Sequence, residues 1–205
     1  MVSIIDYEAG NIKSVENAVR FLGQDSVLTR DPKVILSSDH CILPGVGAFG
    51  DAMARLRKYE LDEVIRETVQ KGIPFLGICL GLQLLFQSSE ESPGAEGLGI
   101  LSGKILRIPD TDNGVKVRKV PQIGWNDLTF PHAGKLFRGI EEGAYVYFVH
   151  SYYLRASDPA IVTAQTEYGV KIDAAVERGN VFACQFHPEK SEAVGMKILK
   201  NFLAV

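Results

Sequence analysis

Residues 75–86 read FLGICLGLQLLF, an apolar run that begins with the texture of a strand and ends with that of a helix. At the changeover stands Gly77-Ile78-Cys79-Leu80-Gly81, one thiol with a glycine two residues away on either side. Tight packing is one reason to place glycines there. The other is a strained strand-to-helix turn that exposes Cys79 as a nucleophile, because larger side chains at those two positions would clash. The oxygen counterpart of this device is the G-x-S-x-G elbow, where the amide after the nucleophile helps to bind an oxyanion. Here that amide belongs to Leu80. The start of the following helix adds free N–H groups and a dipole that favour an anion at the turn.

Outward from this stretch the first half alternates regularly. VSIID (2–6) is a short β-rich run, and NIKSVENAVRFLG (11–23) puts Ile12, Val15, Ala18, Val19 and Leu22 on one helical face, with Asn11 as N-cap and Gly23 as C-cap. HCILPGVGAF (40–49) is a strand entering a Pro/Gly loop. Asp51 then caps one long helix carrying Met53, Leu56, Leu61, Val64 and Ile65 and ending near Gly72. IPFLGI (73–78) is the next strand, and a helix follows from about Leu80 to Gln87. This rhythm predicts right-handed βαβ crossovers and an open, mainly parallel sheet flanked by helices.

After Ser88 the texture becomes loop-rich, with short strand candidates at 103–109, 115–118, 145–153, 161–166, 172–177 and 181–186. SEAVGMKILKNFL closes the chain as a helix with Val194, Ile198, Leu199 and Phe202 on its apolar face. No repeat, low-complexity tract or linker interrupts the chain. The expectation is an α/β fold, one domain over residues 1–205, with an added antiparallel β region in the second half.

Composition narrows the function classes. With 46% hydrophobic and 23% charged residues, the 205-residue chain has the make-up of a globular protein with a sizeable core. A net charge of −3 gives no global attraction to nucleic acid or to an anionic membrane. Arg118, Lys119 and nearby Lys116 form only a small local cluster. The three cysteines, Cys41, Cys79 and Cys184, follow no metal-ligand or disulfide spacing, which suits a reducing compartment. No signal peptide is apparent, and the apolar run 73–86 is too short to span a bilayer. A cytoplasmic protein without metal or cofactor is expected.

A thiol nucleophile in acyl transfer needs a base, and the base needs an orienting partner. VFACQFHPEK (181–190) offers both: a strand delivers His187 at its carboxyl end, and Pro188 biases His187 toward extended geometry. In extended chain, residues i and i+2 project to one side, so the Glu189 carboxylate can reach the His187 imidazole. Taken alone, H-P-E reads more readily as the cap of the last helix. His40 precedes a strand, His132 lies in a loop, and His150 sits in an apolar strand as a core group. Cys184 reads as a small buried hydrophobe. In LPGVGAFG (43–50), Gly45 and Gly47 let backbone amides approach a ligand and let a peptide plane turn over. It is a tight turn before a helix, or, beside Cys79, a second oxyanion donor.

Together GICLGLQLLF, FHPE and LPGVGAF, in this chain order, resemble the class I (triad-type) glutamine amidotransferases. DYEAGNIKSVENA, VPQIGWN (120–126), YFVHSYY (147–153) and FHPEKS are similar to the glutaminase subunits of imidazole glycerol phosphate synthases, over residue 4 to the end. The resemblance implies that Cys79 attacks the carboxamide of L-glutamine while His187, held by Glu189, manages the proton. It places Gly45, Val46, Gly47 and Leu80 at the oxyanion hole, and Gln83, Ser151 and Tyr152 against the substrate. It turns Asn11, Trp125 and Lys190 toward a partner, a (βα)8-barrel cyclase subunit that receives the ammonia in histidine biosynthesis. For Trp125, the only tryptophan, a core position is the competing reading. Between its two flexible glycines, the Val46 peptide is expected to rest with the oxyanion hole incomplete until partner and ligand bind. Two other readings stand beside this one: an amidotransferase subunit of anthranilate or aminodeoxychorismate synthesis, against which DYEAGNIKS and PQIGWN speak, and a silent binding subunit that has kept the fold.

Overall fold

In a computed structural model, the structure describes residues 1–10, 12–112 and 115–205, so the Asn11 cap and its interface role lie outside the described residues. Chain order is β1 (Val2–Ile5), α1 (Ile12–Phe21), β2 (Ser26–Thr29), α2 (Pro32–Leu36), β3 (His40–Leu43), α3 (Phe49–Lys58), α4 (Leu61–Gln70), β4 (Phe75–Ile78) and α5 (Leu80–Leu84). The second half continues with β5 (Ser88–Ser89), β6 (Gly103–Arg107), β7 (Thr111–Asp112), β8 (Val115–Lys116), β9 (Gln122–Asp127), β10 (Tyr145–His150), β11 (Tyr152–Ala156), β12 (Val162–Glu167), β13 (Lys171–Arg178), β14 (Val181–Cys184) and α6 (Glu192–Phe202).

Seven strands make the main sheet in the order β12-β13-β14-β4-β3-β1-β2. Five of them, from β14 to β2, run parallel, while β12 and β13 add antiparallel strands at one edge. Alternation along the parallel strands sorts side chains into two cores. Ile5, Cys41, Leu43, Phe75, Val181 and Ala183 face α2, α3, α4 and α5. Val2, Ile4, Ile42, Leu76, Ile78, Phe182 and Cys184 face α1 and α6. Strands covered on both faces are apolar at nearly every position, which is why β1, β4 and β14 read as continuous hydrophobic runs.

Several boundaries differ from expectation for identifiable reasons. The expected single helix from 51 to 72 is two helices. Leu61 lies about 140° around a continuous helix from Leu56, so one straight helix cannot bury both stripes. The chain breaks instead at Tyr59–Glu60, with Glu60 left-handed at φ 56°. Nor does Asp51 cap α3. The cap position is Ala48, and the free amides of Phe49 and Gly50 are bound by Glu91 Oε2 at 2.7 Å and Ser92 Oγ at 3.0 Å. The helix after Cys79 ends at Leu84 rather than Gln87. The 145–153 run is two strands, β10 pairing with β9 and β11 with β6, and the chain changes partner at Ser151. Three of the second-half strands, β12, β13 and β14, join the main sheet, and the expected added antiparallel region is present in β12 and β13 at its edge and in the separate β9–β10 pair. Gly23 does close α1, with φ 79° and its amide on Arg20 O.

Candidate active site

The carboxyl ends of β3, β4 and β14 lie side by side, and each delivers one part of a cleft. This is where ligands bind in open α/β sheets. Cys79 follows β4 directly, at φ 54° and ψ −108°, a backbone conformation that costs a non-glycine residue about 1–3 kcal/mol. The flanking glycines explain how the turn closes. A Cβ on Gly77 would stand 2.7 Å from Gly81 O, and one on Gly81 only 1.9 Å from Leu43 O. The elbow is also tied to β14, with Cys79 N donating to Cys184 O at 2.8 Å.

His187 and Glu189 stand just beyond β14, both with buried side chains, and His187 Nδ1 lies 2.8 Å from Glu189 Oε1. The carboxylate can only accept here, so it fixes the proton on Nδ1 and turns Nε2 away from itself. Burial opposes charging this imidazole, but Cys79 and Glu189 together outweigh burial and hold its pKa up to about 9. A third buried polar residue completes the set. Gln185, fully buried, directs Nε2 at Cys79 Sγ, 3.7 Å away, and accepts from Gln83 Nε2 at 3.0 Å. Gln83 Nε2 also donates to Tyr152 O at 3.1 Å, linking the elbow helix to β11.

The cleft, about 270 Å³, is lined by Cys79, Leu80, Gln83, Val46, Gly47, Ser151, Tyr152 and His187 among others. So the structure brings the candidate triad, part of the Pro/Gly loop and the candidate substrate residues to one place. Gly45 lies just behind the loop: a Cβ there would meet Leu80 Cβ at 3.0 Å. Its carbonyl accepts the Leu80 amide at 3.4 Å. The amide expected to bind an oxyanion is thus already occupied, and by the carbonyl of the very peptide that would have to turn. Gly47, at φ 103°, supplies the backbone freedom on the far side of Val46.

Glu91, Pro121, Val149 and His150 also line the cleft. The sequence carries no local signal for Glu91, which lies in a polar loop. His150 was expected as a satisfied core group, and it is only half satisfied. Nδ1 lies 2.8 Å from Tyr152 O, which must accept, while Nε2 is buried without a protein partner among the described residues. Burial, with a smaller contribution from His187, lowers its pKa to about 4. A neutral buried imidazole resists protonation in the fold but not in the unfolded chain. Stability should therefore fall as pH drops below about 6.5 and level off near pH 4, a loss of roughly 3 kcal/mol from this group. Denaturant titrations between pH 4 and 7 check this. His150→Asn should flatten that part of the profile, and an unchanged slope would refute the assignment.

Trp125 is 46% exposed on β9, edge-on to Tyr147 and near exposed Ile123 and Tyr145, which removes the core reading of the tryptophan. Lys190 is exposed in the turn after His187. Among the described residues no group of three or more His, Cys, Asp or Glu could hold a metal ion, and no helix is long and apolar enough to cross a membrane.

Known proteins share both the sequence pattern and the fold. Residues 3–205 match the model of the family described as glutamine amidotransferase class-I. The chain is 48% identical over 202 residues to the imidazole glycerol phosphate synthase subunit HisH of Caldanaerobacter subterraneus subsp. tengcongensis, covering 98% of this chain and 97% of that one. It is 49% identical over 201 residues to the subunit of the same name from Moorella thermoacetica, covering 98% and 93%. Among solved structures, PurLQS from Thermotoga maritima superposes with a TM-score of 0.74 at 21% identity, covering 99% and 97%, a likeness of fold. An elbow cysteine facing a carboxylate-held histidine is thus embedded in a sequence that matches one family along nearly its whole length. The chain belongs to the class-I glutamine amidotransferase family.

Proposed function

We propose that this chain is the glutaminase subunit of an imidazole glycerol phosphate synthase, with residues 1–205 working as one amidotransferase unit. The observation that carries the proposal is the buried Cys79–His187–Glu189 set at the floor of a cleft of glutamine size, in a chain whose relatives bear that name. Cys79 sulfur attacks the side-chain carboxamide carbon of L-glutamine. As the C–N bond breaks, the His187 imidazolium gives its proton to the departing ammonia. A water molecule, deprotonated by His187, then cleaves the γ-glutamyl thioester, releasing glutamate and returning the Cys79 sulfur beside a protonated His187, as at the start. Glu189 keeps His187 oriented through both proton transfers, and Gln185 holds the sulfur side of the elbow.

Ser151, Tyr152 and Gln83 hold the substrate. The Glu91 carboxylate, with one oxygen already on the Phe49 amide, gives the cleft an anionic wall suited to the α-ammonium of an amino acid. Leu80 N–H is one oxyanion donor. The second arises when the Gly45–Val46 peptide turns over, withdrawing Gly45 O and presenting Val46 N–H. The resting chain is therefore gated shut.

The ammonia passes to a (βα)8-barrel cyclase, which docks on the exposed Trp125 surface, with Lys190 at its margin, and forms imidazole glycerol phosphate and an aminoimidazole carboxamide ribotide. Three free buried cysteines suit a cytoplasmic setting. The test is glutamate release by the chain alone and with the cyclase and its ribotide ligand. Turnover should rise more than about tenfold in the complex, a barrier change of ~1.4 kcal/mol or more. Equal rates would overturn the gating, and absence of the ribotide product would overturn the pathway assignment.

A further inference from the structure

Tyr7 belongs neither to the cleft lining nor to the triad, yet it touches the loop on which the gate depends. It follows β1, whose neighbour β3 leads into Pro44 and Gly45, so the two chain segments leave the sheet side by side. The ring is 1% exposed. Its hydroxyl donates to Pro44 O at 3.0 Å, an enclosed bond across 37 residues. Burial, reinforced by Cys79, pushes the phenol well above its ordinary pKa, so it stays a donor throughout the working pH range.

The same oxygen grips the next residue. A Cβ on Gly45 would lie 2.3 Å from Tyr7 Oη and 3.0 Å from Leu80 Cβ, so Gly45 is held between the tyrosine and the elbow helix. Upstream, the Pro44–Gly45 peptide is fixed by Tyr7. Downstream, the tie on the Gly45–Val46 peptide among the described residues is the long bond from Leu80 N–H to Gly45 O, 3.4 Å. Beyond it there is room. Val46 is 39% exposed and borders both the cleft and a cavity of about 70 Å³, of which Tyr7 is one wall.

The loop carrying Tyr7 is itself braced from outside. Asp6 pairs with Arg30 at 2.8 Å, Arg55 binds Glu8 O at 2.6 Å, and Tyr59 Oη donates to Glu8 Oε1 at 2.5 Å. These ties anchor the Tyr7 loop to Arg30 and to the end of α3, elements that do not carry Gly45, so a turn of the Gly45–Val46 peptide works against a hydroxyl held from elsewhere.

From this placement we infer that Tyr7 is a positioning residue: its hydroxyl pins the pivot of the Gly45–Val46 peptide and sets how firmly the free chain keeps its oxyanion hole closed. The inference rests on the gating described above. It concerns the strength of the gate and not the chemistry behind it.

Tyr7→Phe keeps the ring and removes the grip. Losing one buried hydrogen bond is worth about 1 kcal/mol, a factor of about five. Glutaminase kcat of the chain alone should rise about fivefold with KM unchanged. The rate in the complex with cyclase and ligand should stay within about twofold of the unmodified protein, so the stimulation ratio falls. Placing 4-aminophenylalanine at position 7, which keeps a donor at the ring's end, should restore the ratio. It also covers the case in which Tyr7→Phe fails to fold. A ratio that is preserved or raised, or one that falls only because the stimulated rate drops, overturns the role of Tyr7. If the unmodified chain shows no stimulation at all, the gating reading fails instead, and the two failures are distinguishable in one set of assays.

Discussion

Cys79→Ser should abolish glutamine hydrolysis, lowering turnover by about a thousandfold or more, while leaving the fold intact. The reason lies in the partner. With its pKa held up to about 9 by Cys79 and Glu189, His187 meets the substrate as an acid and becomes a base only after its proton has gone to the departing ammonia. The attacking atom must then be able to exist as an anion without taking a proton partner at the moment of attack. A thiol at a helix start meets that condition and a hydroxyl does not. The change is nearly isosteric, and the bond from the residue-79 amide to Cys184 O is retained, so the thermal midpoint should hardly move. Glutamate release with and without the cyclase is the readout, and unchanged turnover would sink the thiol mechanism.

The second large effect is structural. Gly81→Ala puts a methyl group 1.9 Å from Leu43 O, a backbone atom of the neighbouring strand's end. No side chain can swing aside to relieve that contact. Elbow, helix α5 and loop 44–47 must separate, at a cost beyond the 1–3 kcal/mol usual for overpacking. Gly23→Ala is the informative comparison. Its glycine has φ 79° and nothing within 4 Å of an added Cβ, so only the left-handed backbone penalty of about 1–2 kcal/mol applies. Thermal denaturation of the two variants should show a much larger drop for Gly81→Ala, with loss of glutaminase activity. Equal shifts would show that the elbow glycine is not under the steric constraint described.

The parallel half of the fold is legible because its strands are buried on both faces and read as unbroken apolar runs. The edge is not: β2, half-exposed SVLT, and α2, five residues long, lack the length or contrast to stand out. The break between α3 and α4 hides in an apolar stripe whose phase slips by one residue after Leu56. At the site, Cys79 announces itself because an elbow needs glycines at fixed offsets, and His187 with Glu189 because a base and its orienter fit two residues apart on extended chain. Gln185 does not. Its contact with Cys79 spans 106 residues, and a glutamine on a strand carries no local mark of what it will face. Glu91, His150 and Tyr7 are silent for the same reason, since each acquires its part only when distant segments meet.

The placement of the triad across adjacent parallel strands also has a consequence for the order in which the protein becomes active during synthesis. The elbow is made early in the chain, but its histidine arrives just after β14, the last strand, which docks directly against β4. Parallel pairings between distant segments form slowly, because loop closure has to precede any gain from the contact. A nascent chain emerging from the ribosome therefore carries its thiol for most of its length without the imidazole that makes it a catalyst. Competence to release ammonia comes only after β14 has docked, when the same folding event that completes the sheet also completes the enzyme.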